Sequence, residues 1–352
     1  MAHPPIKFAA PPAIPLGSLI LVTGANGLIA SHVVDQLLAG GYRVRGTVRS
    51  LERSAWLKPC FAARHGAGRL EIVEVPDLAA PGVWDMQLSG GVAGIISVAG
   101  LVDLMLSDVE AAVADDLAAV HGMLRAAQAQ PSVKTFVLTS TVWAAWTPEA
   151  DVARTVTEAS WNDAAIALAA DASVPRDGKG IAPFMAFRTR VEQACWGWVG
   201  REKPRFAFNT VLPDMVLGTV FNARAQTAST SGMVKWLYDG ARLDVLNHIP
   251  PQWFINAADN GRLYLALLAT GVSGQRVFGC AGRFSWPAVL EVLKAQYPEQ
   301  KGFVDLADAG QDRTELQAQS DKALALLRAT GQDSWTSMEQ SVRSAMESYL
   351  PV

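Results

Sequence analysis

Cysteine is scarce in this chain: Cys60, Cys195 and Cys280 are odd in number, far apart and outside any metal-ligand spacing. That excludes a disulfide scaffold and a thiolate metal site, and it fits reduced thiols in a cytoplasmic protein. Runs of Lys or Arg are also missing. With a net charge of −3 and a pI near 6, neither nucleic acid nor an anionic membrane is an expected partner. No apolar stretch is long enough to span a bilayer. The opening residues MAHPPIKFAAPPAIPLG are apolar with a single Lys, but Pro11, Pro12 and Pro15 break the helical core of a signal peptide. Residues 1–16 therefore read as an extended tail lying on the surface. Internal repeats and low-complexity tracts are absent. Charged residues make up 18% and hydrophobic ones 50%, which excludes a disordered polyelectrolyte.

What is present is enough chain for an ample core: 352 residues suit one large α/β domain or two closely joined lobes. Over the first 150 residues, short β-branched runs alternate with helical patterns, the signature of βαβ units and a parallel sheet. Ser18 to Thr23 reads as a buried strand and Leu28 to Leu38 as the helix after it, ended by Gly40-Gly41. Further strands are expected at Tyr42 to Val48, Leu70 to Val75, Ala93 to Val98, Thr135 to Thr139 and Ala207 to Leu212. A long Ala-rich helix spans Asp108 to Gln130 with Ser107 as N-cap, and another covers Ala182 to Val199. Thr155 to Gly180 reads as a long loop or weak helix, and Ala223 to Gly232 as a polar loop. The expected architecture is a Rossmann-type, doubly wound parallel sheet over 17–215, with a smaller substrate-binding lobe over 216–352. A segment near 255–285 is expected to return to the first domain.

Gly24-Ala25-Asn26-Gly27-Leu28-Ile29-Ala30 joins the first strand to the first helix as G-x-x-G-x-x-A. Gly24 permits the turn, Gly27 lets a pyrophosphate approach the positive end of the helix, and Ala30 lets that helix pack close to the sheet. An isolated glycine pattern means little, but strand before and helix after make this one a dinucleotide loop rather than an ordinary turn. The second strand ends in Arg49 rather than an acid. A guanidinium there suits a 2′-phosphate, pointing to NADP(H), and Arg53 is a second candidate contact. Asp77-Leu78, after the third strand, is placed to meet adenine. Val98-Ala99-Gly100, after the fourth, is placed to line the ribose and nicotinamide.

With these elements in place, the chain resembles the extended short-chain dehydrogenases/reductases, in particular the aldehyde reductase II and dihydroflavonol reductase group. The resemblance runs over nearly the whole length: VTGANGLIASHVVDQLL, PSVKTFVLTST, EASWN, the helix around Arg188, FNTVLPDMVLGTVF, STSG and QWFINAADNG. It implies that Gly24, Asn26, Gly27, Leu28, Ile29, Arg49, Asp77, Leu78, Val98, Ala99 and Gly100 hold the cofactor, with Arg188 at the ribose. It also implies that Pro213 sits beside the nicotinamide carboxamide, and that Ser229 or Ser231 belongs to a polar loop closing over the nucleotide. Thr141 falls at the family's catalytic Ser. At the family's catalytic Tyr and Lys, however, the chain carries Phe184 and Arg188. Tyr297 and Lys301 also read Y-x-x-x-K, but Pro298 breaks the helix that would bring them together.

Phe has no proton to give, and Arg stays protonated in a protein. The scaffold is thus expected to keep its dinucleotide while its usual chemistry is removed or replaced. Candidate groups for new chemistry are Thr141 and Ser140, Asp214 at a strand's carboxyl end, Asp103, and then His248 and Tyr238; each has a capping or surface role as its plain alternative. An aromatic set of Trp143, Trp146, Phe184, Phe187, Phe221, Trp236, Trp253 and Phe254 is expected around the mouth, suiting a bulky hydrophobic small molecule. Arg188 facing that pocket would stabilise an oxyanion. Three functions follow: a non-redox enzyme (cyclisation, isomerisation or elimination), an NADPH-dependent carbonyl reductase with another proton donor, or a nucleotide-sensing protein without turnover. The assembly is expected to be a monomer or homodimer.

Overall fold

Strand β1 (Leu19–Val22) is buried on both faces, with Ile20 and Val22 against one helical layer and Leu19 and Leu21 against the other. Such a strand belongs to a parallel sheet covered on both sides. In the computed structural model, which describes residues 4–226 and 229–350, the chain continues through α1 (Leu28–Ala39), β2 (Arg43–Val48), α2 (Leu57–His65), β3 (Leu70–Glu74), α3 (Val83–Gln87), β4 (Val92–Ser97), α4 (Val109–Ala129), β5 (Thr135–Thr139), β6 (Ala153–Thr155), α5 (Asp163–Ala170), α6 (Ala182–Glu202) and β7 (Ala207–Pro213). The second half adds β8 (Met215–Leu217), α7 (Thr230–Tyr238), α8 (Leu243–Leu246), β9 (Gln252–Asn256), α9 (Ala257–Thr270), β10 (Arg276–Gly279), β11 (Gly282–Phe284), α10 (Trp286–Gln296), β12 (Arg313–Glu315), α11 (Gln317–Arg328) and α12 (Met338–Glu347).

Seven strands form one parallel sheet in the order β10-β7-β5-β4-β1-β2-β3. The order reverses direction at β1 and β4, the doubly wound topology in which ligands lie outside the carboxyl ends of the strands. Helices α1, α2, α9 and α11 cover one face; α3, α4 and α6 cover the other. Helix α9 lies unusually close to α1, because a Cβ on Gly261 would sit 2.6 Å from the His32 carbonyl oxygen. A second core, built from β8, β9, α7, α10 and α12, fills the smaller lobe. Two small sheets, β11-β9-β8 and β12-β6, complete the fold.

Several sequence expectations shift. Asp108, not Ser107, caps α4, its carboxylate accepting from Ala111 N at 3.0 Å. The 155–180 stretch contains α5, and the polar 223–232 segment, whose residues 227 and 228 lie outside the described ones, already starts α7 at Thr230. The N-terminal segment does more than lie on the surface. Lys7 N and Ala9 N donate to Thr330 O and Ala329 O, Arg262 donates to the Pro4 and Pro5 carbonyls, and Ile14 is buried in the core.

Candidate functional site

The carboxyl ends of β1, β2 and β4 build the dinucleotide half of the site. Gly24 has φ +66° and a Cβ there would stand 3.1 Å from the Ala99 Cβ, so this turn accepts no side chain. Ala25 packs on Gly46 of β2, where a Cβ would come within 2.7 Å of the Ala25 Cβ. Helix α1 begins after Gly27 with no side-chain cap, leaving its first N–H groups turned toward any anion placed there. Leu28 and Ile29, half-buried, open the helix, and Ala30 is fully buried beneath it. Thr23, which the sequence reading passed over, organises the neighbouring loop: its hydroxyl accepts from both Val98 N and Ala99 N at 2.9 Å.

Arg49 and Arg53 are exposed, and among the described residues neither holds an ion pair. Asp77 is exposed and closes a turn by accepting from Ala79 N at 2.8 Å, while the Leu78 carbonyl accepts from the Trp84 indole. The polar loop does reach the phosphate-binding turn, but through a residue not foreseen. Gln226 Nε2 donates to Asn26 O and to Ser31 Oγ, both at 3.0 Å. Asn26 in turn donates to Ser54 Oγ at 3.1 Å. Ser231 is corrected as a cofactor contact: it is fully buried and its hydroxyl faces Val216 O. Ser229 caps α7 and donates to Gln226 O at 2.7 Å, so its hydroxyl serves the loop itself.

The other half of the site is built at β5, β7 and α6. Phe184 stands in the first turn of α6, 6% exposed, edge-on to Trp143 at 6.2 Å between ring centroids. Trp143 Nε1 donates to Gln252 Oε1 at 3.0 Å, and the next residue, Trp253, donates its backbone N–H to Asp214 Oδ2 at 2.9 Å. A continuous wall thus runs from Phe184 to Asp214, which follows β7 and Pro213. Burial pushes the Asp214 carboxyl well above the usual range, opposed by the Trp253 N–H and reinforced by the charge of Asp312. Nearby, the buried indole N–H groups of Trp146 and Trp253 have no acceptor among the described residues. Thr141 is half-buried at the end of β5, and its hydroxyl accepts from Trp143 N at 3.3 Å.

Arg188 does not face the apolar wall as a free cation, which corrects the oxyanion expectation. Its Nη1 pairs with Asp116 Oδ2 of α4 at 3.2 Å, and its Nη2 donates to the Thr139 carbonyl at 2.8 Å. Ser140 is likewise committed: it donates to Glu192 Oε2 at 2.7 Å, inside a buried network with Arg276, Thr210 and Trp196. Asp103 is exposed and closes a turn at Met105 N. His248 is exposed on α8's end, and Tyr238 packs against Tyr297 and Phe303 in the lobe core. Of the aromatic set, Phe221 belongs elsewhere, tilted against His32, edge-on to Phe61 and under the Arg64 guanidinium, while Phe187 is fully buried. Trp236 and Phe254 sit in the lobe core.

Each of the five tyrosines is placed elsewhere among the described residues. Tyr42 donates to Ile14 O, Tyr264 meets Thr139 Oγ1 behind the sheet, and Tyr238, Tyr297 and Tyr349 lie in the lobe. Tyr297 follows the end of α10 and Lys301 Nζ donates to the Pro298 carbonyl, so the second Y-x-x-x-K is not a site.

The NAD dependent epimerase/dehydratase family matches residues 20–153. Aldehyde reductase 2 of Sporidiobolus salmonicolor is 36% identical over 337 residues, covering 95% of this chain and 97% of the relative. The chain belongs to the extended short-chain dehydrogenases/reductases. Within that superfamily it falls in the aldehyde reductase-like group, and ketoreductase nvfG of Aspergillus novofumigatus is 33% identical over 95% of this chain and 97% of its own. Yeast methylglyoxal/isovaleraldehyde reductase complexed with NADPH superposes with a TM-score of 0.75 at 22% identity, covering 94% and 97% of the two chains, a likeness of fold. This is therefore an SDR-fold, NAD(P)-dependent enzyme of the reductase/epimerase type. The cofactor fits the residues present: a side-chain-free turn at Gly24 and an uncapped α1 suit a pyrophosphate. Among the described residues no cluster suits a metal, and no helix is long and apolar enough to cross a membrane.

Proposed function

We propose that this chain binds NADP(H) and acts on a bulky hydrophobic small molecule by proton transfer rather than by tyrosine-assisted hydride transfer. Isomerisation, elimination and cyclisation are the reaction types that such a site serves. The observation that carries this reading is the packing of Phe184: a buried benzyl group stands edge-on to Trp143 at the place on α6 where the resemblance expects the family's proton donor.

Gly24, Gly27 and the start of α1 would hold the pyrophosphate, and Arg49 the 2′-phosphate. The nucleotide would be a hydride carrier in the relatives' chemistry and in this reading would stay bound with its hydride unspent; the chain's own contribution at the other end is binding, orientation and a proton. Phe184, Trp143 and Trp253 form the apolar wall, and the unpaired indole N–H groups of Trp146 and Trp253 suit an oxygen-bearing substrate. Asp214, raised by burial, holds a proton to higher pH than an ordinary carboxyl and is the group assigned to give and take it. Thr141 binds a substrate oxygen.

The relatives' names, aldehyde reductase and ketoreductase, favour a second reading, carbonyl reduction with Asp214 or Thr141 supplying the proton. One pair of assays separates the two. Fluorescence titration should show NADPH binding more tightly than NADH, and aromatic aldehydes should then leave NADPH unspent. Steady oxidation at about 1–10 per second, ordinary for an enzyme, would establish the reductase reading instead.

A further inference from the structure

Arg188 raises a question that its place in the helix does not answer: a guanidinium with a 12% exposed side chain needs a counter-charge, and the chain supplies one from a different helix. Asp116, on α4, is itself 11% exposed and spends Oδ2 on Arg188 Nη1. The Thr139 carbonyl fixes Nη2. Two acceptors on two elements therefore hold the planar group in one orientation.

That orientation places Nη1 under Gly100. A Cβ on Gly100 would lie 3.1 Å from Nη1 and 3.6 Å from Asp116 Oδ1, so the glycine keeps the guanidinium open toward the exposed loop after β4. Each terminal nitrogen of arginine carries two protons, and Asp116 takes one of the pair on Nη1. The second is free for an acceptor arriving beside Gly100.

We infer that Asp116 is a positioning residue, which neutralises and aims Arg188 so that its remaining Nη1 proton holds a hydroxyl of the nicotinamide ribose. The pair takes over the ribose-holding part of the family's lysine and leaves out the proton-transfer part. This rests on the NADP(H) reading above and adds to it a residue that sequence comparison with the family pattern does not mark.

The test compares two ligands on the full chain. NADPH carries the nicotinamide ribose; 2′,5′-ADP carries only the adenosine half with its 2′-phosphate. Asp116→Asn and Gly100→Ala should each weaken NADPH binding about tenfold, the loss of one hydrogen bond to a charged group, with 2′,5′-ADP affinity within about twofold of wild type. Gly100→Ala guards against a folding defect, since Gly100 lies on an exposed loop and needs no positive φ. If NADPH affinity is unchanged in both variants, or both ligands weaken equally, the inference is wrong. If wild type binds neither ligand, it is the cofactor reading that fails, and the inference with it.

Discussion

The two ends of the site sit at the carboxyl edge of the same sheet, yet they differ in what holds them. The dinucleotide end, at β1, β2 and β4, is made mostly of backbone: a left-handed Gly24, the uncapped α1 and the N–H groups that Thr23 gathers. The proposed catalytic end, at β5, β7 and α6, is made of side chains, with Phe184 against Trp143 and Arg188 against Asp116. Backbone recognition needs small residues in a few turns, whereas proton transfer needs one functional group in one place. A scaffold can therefore lose its chemistry at one end and keep its nucleotide at the other.

The largest expected effect comes from placing a phenol and an ammonium on α6. Phe184→Tyr with Arg188→Lys should raise NADPH oxidation with aromatic aldehydes by about 10²–10⁴-fold, the usual contribution of a placed proton donor. A double mutant that folds and binds NADPH without that gain would mean the substrate wall has diverged as well.

The next prediction probes the rigidity of the dinucleotide end. Burial alone would raise the Asp35 carboxyl on α1, but hydrogen bonds from His65 and Arg64 of α2 overcome it and lower the pKa to about 2. A lowered carboxyl stabilises the fold above its unfolded pKa and loses that contribution as pH falls through the folded value. Asp35→Asn should cost about 2 kcal/mol near neutral pH in denaturant titrations, and the gap between variant and wild type should close between about pH 4 and pH 2. A gap that does not change over that range would contradict the assignment.

Smaller still, Arg49→Ala should weaken NADPH about tenfold and leave NADH unchanged, as read by fluorescence titration. Equal loss of both nucleotides would remove the 2′-phosphate argument. Last, Ser140→Ala should cost about 1 kcal/mol in stability with NADPH binding unaltered, because Glu192 keeps Arg276, Thr210 and Trp196. A stable variant with altered turnover would return Ser140 to the catalytic set.

The strand, turn and helix around Gly24 were legible in the sequence because their signal is local. A glycine turn between a strand and a helix, and an Arg at the next strand's end, fall within about thirty residues. That Phe184 and Arg188 share one helix was legible for the same reason, since the pattern of that segment is local. What escaped reading depends on contacts between distant residues. Asp116 and Arg188 are 72 positions apart, Gln226 and Asn26 are 200 apart, and no periodicity marks either pair. Ser140 and Ser231 looked available from sequence because a hydroxyl's partner is invisible there; Glu192 and Val216 turn out to take them. Phe221 was grouped with the mouth by composition, but packing assigns it to the α1–α2 side.

The most direct test of a retained nucleotide with replaced chemistry follows the hydride itself. With NADPH deuterated at the transferable position and aromatic aldehydes or ketones offered under saturating conditions, mass spectrometry should find the nucleotide bound with its deuterium retained and no deuterated alcohol formed. Stoichiometric deuterium in an alcohol product would contradict the account.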